Sequence, residues 1–340
     1  MKYKRALELI EDEIQNGLYT GAALGIIRNG KLDHVSYHGR VSDARTAAET
    51  SKQTLFDLAS LTKIVSTTPI CLRFLERGLL RLDDKVQQFF PSAIQPVADM
   101  NIRQLLTHNS GMPSHFLLQD YISEEKSIRE ILTEFALPRM AEQAVEYSCM
   151  GFILLGEILK EISGLTMAEL FEQEVAKPLG LEAATFYPEG EVVATRCLRS
   201  REFHQGVVHD ENARVQTGGG ANAGLFANLH DLLTYAQNLI NDGGMLFTKR
   251  TLDLARVNYT GGTNEDRGLG FFLGSNRGSS FGDLCGDDAY GHTGFTGTSI
   301  LIEPHSDSAV VFLTNRMISD PLRGNMVRHR ALLHNTIFAE

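Results

Sequence analysis

Apolar residues along the chain recur first at helical and then at strand spacing. Tyr3, Leu7, Ile10 and Ile14 fall three or four residues apart, which predicts one buried face of an amphipathic helix ending near Asn16-Gly17. The stretch "AALGIIRNGKLDHVSYHG" then places two β-type runs around Asn29-Gly30, a two-residue hairpin signal. A helical stretch is predicted from Ser60 to about Leu80, kinked or locally broken at Pro69. From residue 84 to about 190 the pattern is mainly helical, clearest in "NIRQLLTH", "MGFILLGEILKEISG" and "TMAELFEQEVAKPLG". Gly164 and Gly180 stand where helix ends favour a left-handed residue.

A further helix, "HDLLTYAQNLINDGG", follows the glycine-rich "TGGGANAG". Strand patterns return in "GLGFFLG", "GTSILIEP" and "SAVVFLTNR", the last two joined by a tight turn over Pro304 to Asp307. A final helix is predicted over about 322–338. Strands at both ends of a helical middle predict an α/β (α+β) fold with one sheet built from the two termini. We expect a single domain over 1–340, with residues 1–59 and 245–340 forming the sheet region and 60–244 a mostly helical region.

Composition changes this picture little. At 340 residues the chain is long enough for two subdomains around a large core, and 43% hydrophobic with 22% charged residues is an ordinary globular balance. A formal net charge of −10 argues against nucleic acid or an anionic membrane as the main partner. Glu8, Glu11, Asp12 and Glu13 interrupt the apolar run that a signal peptide needs, and no segment approaches a membrane span. A cytoplasmic protein is expected if Met1 is the true start; a chain trimmed of its leader would look the same. Cys71, Cys149, Cys197 and Cys285 are scattered, supporting neither a metal site nor a disulfide framework.

Candidate chemistry begins at "LASLTKIVST". Ser60 and Lys63 are three apart, so on a helix they share a face, and a desolvated lysine can take the proton of a serine hydroxyl. A surface serine followed by a surface lysine has the same spacing, so the remaining site must decide. Tyr147 in "EYSCMG" offers a phenol that could relay a proton. His292-Thr293-Gly294 offers small residues at the start of an apparent strand, where the Phe295 amide could face an oxyanion beside the Ser60 amide.

Together these segments resemble the motifs of the serine β-lactamase and penicillin-binding-protein superfamily: Ser-x-x-Lys, then a tyrosine motif, then His-Thr-Gly in place of Lys-Thr-Gly. Their order and register resemble the class C β-lactamase branch, and "TLFDLASLTKIVSTTP", "RGLLRLDDKVQQFFP", "IRQLLTHNSGMP" and "HTGFTGTS" extend the resemblance over nearly the whole chain. The resemblance implies antiparallel strands flanked by helices beside a mostly helical region. It also implies an acyl-enzyme mechanism with Ser60 as nucleophile, Lys63 as base, Tyr147 as proton relay and an oxyanion hole from the Ser60 and Phe295 amides. No cofactor is implied.

Two departures bear on substrate. Cys149 stands where the branch's Tyr-x-Asn motif has asparagine, and a thiol cannot replace a carboxamide's paired hydrogen bonds. A buried filler is the plain reading of this thiol; exposed beside cations it would be acidic and oxidisable. His292 replaces a lysine that anchors carboxylates, so carboxylate binding is expected to be weaker and pH-dependent. His204, His209, Asp210 and Glu211 fit no standard metal site, "GGGANAG" lacks a phosphate loop's Lys-Ser/Thr ending, and Asn222 is placed at the cleft facing substrate. His108 is read as a structural turn residue. The expectation is a serine hydrolase acting on a small ester or amide. The alternatives are a penicillin-binding protein with D,D-carboxypeptidase or class C β-lactamase activity, and a homologue that binds ligand without turnover. Oligomeric state is open.

Overall fold

The computed structural model describes residues 2–122, 126–135, 141–196, 202–276, 278–318 and 324–340; Cys197 lies outside them. Strands β1 (Gly21–Arg28) and β2 (Lys31–Gly39) form the expected hairpin, with Asn29 and Gly30 both at positive φ as a type I′ turn requires. Short pairs β3 (Phe56–Asp57) with β6 (Phe226–Ala227), and β4 (Thr195–Arg196) with β5 (Phe203–His204), lie outside the main sheet. Strands β7 (Phe272–Leu273), β8 (Tyr290–Thr293), β9 (Ser299–Glu303) and β10 (Ser308–Thr314) complete it. The order is β2-β1-β10-β9-β8-β7, and every neighbouring pair is antiparallel. Sequence separation is thereby closed: Ala22 pairs with Thr314, so the N-terminal hairpin joins a sheet otherwise made from the last quarter of the chain.

Helices cover both faces of this sheet. The N-terminal helix Lys4–Gln15 packs Tyr3, Ala6 and Ile10 against the C-terminal helix Met326–Phe338 and the outer face of β1 and β10. The helix Leu229–Ile240 lies on the other face. Gly25 is needed beneath it, because a Cβ there would come 2.8 Å from the methyls of Leu233. The apolar helix Cys149–Ser163 runs through the largest core cluster, with Phe152, Ile153, Leu154 and Leu155 fully buried, and ends at left-handed Gly164.

Two details differ from the periodicity. The stretch around Pro69 is irregular in the turn before the proline: Lys63–Thr67 is a π-turn, Thr68 N–H donating to Lys63 O, and a regular helix follows over Thr68–Glu76. The same widening occurs at Glu172–Ala176 just before Pro178, with Lys177 N–H donating to Glu172 O. A proline ring clashes with the carbonyl four residues back in a regular helix, and a wider turn relieves that clash. The region 84–190 is also less continuous than its pattern, with short helices such as Ile102–Leu106 and Ile128–Thr133 between irregular connections. Among the described residues no helix is long and apolar enough to cross a membrane.

Candidate active site

Ser60 follows directly on a sharp turn out of β3. Ala59 has φ 46°, a left-handed conformation that alanine adopts at a cost of about 1–2 kcal/mol, and the turns Leu61 N–H to Leu58 O and Lys63 N–H to Ser60 O start the next helix. One turn on, Lys63 is fully buried, and its Nζ lies 3.1 Å from Ser60 Oγ, 2.8 Å from Asn222 O and 3.5 Å from Cys149 Sγ. The spacing of serine and lysine thus becomes a direct contact.

Tyr147 is not helical, as its surroundings suggested, but sits in the extended segment before the Ser148 cap of the helix Cys149–Ser163. The reason is local: Ser148 Oγ accepts Gly151 N–H at 3.0 Å, and its own N–H donates to His108 Nδ1 at 3.0 Å. His108, buried and left-handed with φ 57°, also places its ring 4.5 Å from that of Tyr147. The turn residue therefore supports the phenol as well. Lys63 Nζ is 5.0 Å from the Tyr147 ring centre, and the phenol oxygen is buried without a hydrogen-bond partner among the described residues. Burial raises the Tyr147 pKa, against the pull of Lys63 and Ser60, so the phenol is neutral at pH 7.

Lys63 and Cys149 pull each other in opposite directions. Burial works against the ammonium, but Cys149, Tyr147 and Asp210 outweigh it and leave the Lys63 pKa raised. Burial likewise works against a thiolate, yet Lys63 and a hydrogen bond from His115 leave the Cys149 pKa lowered. Cys149 is also the first residue of its helix, where the dipole favours negative charge. It is therefore more than a filler: its sulfur touches the lysine that touches Ser60.

The opposite wall comes from β8 and the turn after it. Gly294 passes so close to the serine turn that a Cβ would stand 2.5 Å from Leu58 O. Among the described residues neither the Ser60 amide nor the Phe295 amide donates to a protein acceptor. The turn is clamped from behind by Arg330, whose guanidinium donates to the carbonyls of Gly294 at 2.7 Å, Gly297 at 3.1 Å and Thr298 at 3.1 Å. Thr293, Gly294 and Phe295 line a cavity of about 540 Å³ together with Ser60, Tyr147 and His292.

His292 requires a correction. The partial positive charge expected of it is absent, because burial first, and then the nearby Arg267 and Lys63, push its pKa well below 6.5. Its Nδ1 lies 2.8 Å from Thr293 O, and its Nε2 has no partner among the described residues. Arg267, which sequence reading missed, lines the same cavity, 5% exposed, with its Nε on Glu265 and a buried Nη1 without a partner among the described residues. Nothing in the local pattern "EDRGLG" could have marked it, since it meets Tyr147 and His292 only through the sheet.

Asn222 also reaches the site differently from expectation, through its carbonyl on Lys63. Its side chain is fully buried between Gln216 Nε2 at 2.8 Å and Asp210 Oδ1 at 3.1 Å, so it does not face the cavity. The glycine-rich loop is packed closely behind Lys63 and is further tied by Thr67 Oγ1 to Ala221 O at 2.7 Å. The His209 ring lies tilted against that of Phe295, with centroids 5.6 Å apart, and Asp210 caps the short helix Glu211–Arg214.

A sheet of six antiparallel strands with a buried Ser-x-x-Lys helix facing strand β8 is the architecture of serine β-lactamases and penicillin-binding proteins. The beta-lactamase family model matches residues 8–335, and the chain belongs to that family, whose members are serine hydrolases. It is 28% identical to the N-acetylmuramyl-L-alanine amidase of Bacillus subtilis over 93% of this chain and 81% of that one. Identity is also 28% to a protein of Escherichia coli O157:H7 named "Putative D-alanyl-D-alanine carboxypeptidase", over 92% of this chain and 82% of that one. The fold is shared with the hydrolase EstCE1, described as having promiscuous acyltransferase activity (TM-score 0.81, 19% identity, 98% of each chain). It is shared equally with a class C beta-lactamase mutant (TM-score 0.79, 17% identity, 99% of this chain and 97% of that one).

Proposed function

We propose that the protein hydrolyses a small ester or amide through an acyl-enzyme on Ser60. The observation that carries this is the 3.1 Å contact between Ser60 Oγ and the fully buried Lys63 Nζ. The other two partners of Lys63 fix its orientation. Asn222 O can only accept, and Cys149 Sγ accepts as well, so in the neutral amine both N–H bonds are engaged and the lone pair faces the Ser60 hydroxyl. The raised pKa makes Lys63 an ammonium at rest, so a proton must leave it before it acts as a base; the adjacent Cys149, in its thiolate form, is the acceptor and becomes the neutral thiol as Lys63 becomes the neutral amine.

Ser60 Oγ then bonds to the substrate carbonyl carbon while its proton passes to Lys63. The negative oxygen lies between the amides of Ser60 and Phe295. Tyr147 donates its phenolic proton to the leaving oxygen or nitrogen and regains one from Lys63. Water, activated by the same groups, releases the acid and Ser60. We place the protein in the cytoplasm, acting on a soluble ester or amide there.

A second reading, an amide substrate carrying a carboxylate as in D,D-carboxypeptidase or β-lactamase chemistry, is favoured by one observation: Arg267. His292 is neutral, and Arg267, which lines the cavity together with Arg316 and Arg330, is a guanidinium positioned to pair with such a group. Intact-protein mass spectrometry with a short-chain p-nitrophenyl ester and a chromogenic cephalosporin, with Ser60→Ala as control, separates the readings. Ester turnover with little cephalosporin reaction supports the first. Rapid cephalosporin turnover supports the second, and a persistent cephalosporin adduct on Ser60 supports its penicillin-binding form. An adduct surviving in Ser60→Ala overturns both.

A further inference from the structure

Three residues before the serine lies a carboxylate with no part in the chemistry above. Asp57, 1% exposed, accepts the Ala59 N–H at Oδ1 (2.8 Å) and the His209 N–H at Oδ2 (2.6 Å). Its main chain is pinned too: Thr296 Oγ1 donates to Asp57 O at 2.7 Å, and Thr298 Oγ1 to Leu58 O at 3.1 Å. Both threonines belong to the turn that carries the Phe295 amide. The Asp57 side chain therefore joins the left-handed Ala59 to the segment before the glycine-rich loop, while the backbone of Asp57 and Leu58 is tied to the oxyanion turn.

We propose that Asp57 is the positioning residue of the nucleophile: its ionised carboxylate holds Ala59 left-handed, and so aims the Ser60 hydroxyl at Lys63 and the Ser60 amide beside that of Phe295. The conformation is one that alanine disfavours, so something must hold it, and a carboxylate accepting two amide protons does so without a side-chain donor nearby. The charged groups facing it are Asp210, which opposes its ionisation, and Arg214, which favours it; His209 contributes its backbone amide, its ring being kept neutral by burial with a pKa pushed down to about 4.

Activity and stability should respond to this group in opposite senses. Burial raises the Asp57 pKa to about 6, above an unfolded value of roughly 3.9. The folded state thus binds this proton more tightly, and the stability this group contributes falls as pH rises from about 4 to about 6. A protonated carboxyl turns one oxygen into a donor and cannot satisfy both amides, so acylation should instead rise across that window. A merely structural carboxylate would not separate the two.

The proposal rests on Ser60 being the nucleophile, and the test keeps the two apart. Acylation by a p-nitrophenyl ester is followed from pH 4.5 to 8, with the adduct located by mass, in the wild type, Asp57→Asn, Ala59→Gly and the double variant. No adduct on Ser60 in the wild type sinks the functional reading. With the adduct present, the expected result is a break in the wild-type rate near pH 6. Asp57→Asn should lose that break and slow by between about tenfold and a hundredfold in kcat, with little change in KM. Ala59→Gly should restore much of the loss in the double variant, because glycine holds a positive φ without help. An Asp57→Asn enzyme with wild-type rate and break overturns the proposal, as does a double variant no faster than Asp57→Asn. Should Asp57→Asn not fold, Ala59→Gly decides alone: it should flatten the break, and an undiminished break overturns the proposal.

Discussion

The two walls of the cleft are built on opposite principles. On the helical side Lys63 is saturated, its amine touching Ser60, Cys149 and Asn222, and the loop behind it is knitted by Gln216, Asp210 and Thr67. On the sheet side His292 Nε2 and Arg267 Nη1 are buried and unpaired among the described residues, as is, of the cavity-lining groups on the helical side, only the proton-relaying Tyr147 phenol. Saturation fixes geometry and tunes proton affinity, which suits the bond-making side. An unspent acceptor on His292 and an unspent donor on Arg267 cost free energy unless a ligand takes them up, which suits the side that recognises substrate. We infer that chemistry and selectivity are divided along this line.

The largest expected effect breaks the saturated wall. Ser60→Ala and Lys63→Ala should each reduce acylation by at least about a thousandfold with the thermal melt retained; measurable wild-type acylation in either would remove the mechanism. Next comes the seam between the walls. Gly294→Ala would drive a Cβ to 2.5 Å from Leu58 O and 2.1 Å from Thr298 Oγ1. Displacing the Phe295 amide in this way should cost about a hundredfold in kcat. Comparable kcat in Gly294→Ala would show that this amide does not hold the oxyanion.

The open wall should respond more gently and selectively. For two amides differing only by a carboxylate near the scissile bond, Arg267→Gln should lower the preference for the charged one by about tenfold or more, leaving neutral esters little changed. An equal loss on both substrates would make Arg267 a structural residue. The smallest effect is at Cys149. Replacing it with asparagine restores paired hydrogen bonds and should raise cephalosporin acylation severalfold, by about 1 kcal/mol. Because Cys149 helps hold the Lys63 pKa up, the alkaline rise in activity should also move to lower pH in Cys149→Asn. A profile unmoved by the exchange would uncouple the thiol from the lysine. His292, held neutral, should add no inflection between pH 6 and 8.

Legibility followed sequence distance. Ser60 with Lys63, the Asn29-Gly30 hairpin and the helix closing at Gly164 could be read because each depends on contacts a few residues apart. Cys149 was visible as a departure, but its chemistry was not, since its acidity comes from Lys63 and His115, 86 and 34 positions away. Arg267 and Asp57 carried no local signal at all. An arginine before a short strand and an aspartate before a serine are ordinary until the fold buries one without a partner and gives the other two amides to hold.

The sequence by itself determined the alternation of elements, the fold class and the residue types at the three motifs, because periodicity, turn chemistry and short spacings are properties of a local chain. Only the tertiary structure decided the charges. Whether His292 is a cation, whether Cys149 is acidic and whether Asp57 titrates near 6 depend on which groups are excluded from water together. Burial and neighbouring charge set proton affinity, and both are fixed only when β8, the Ser60 turn and the Asn222 loop meet.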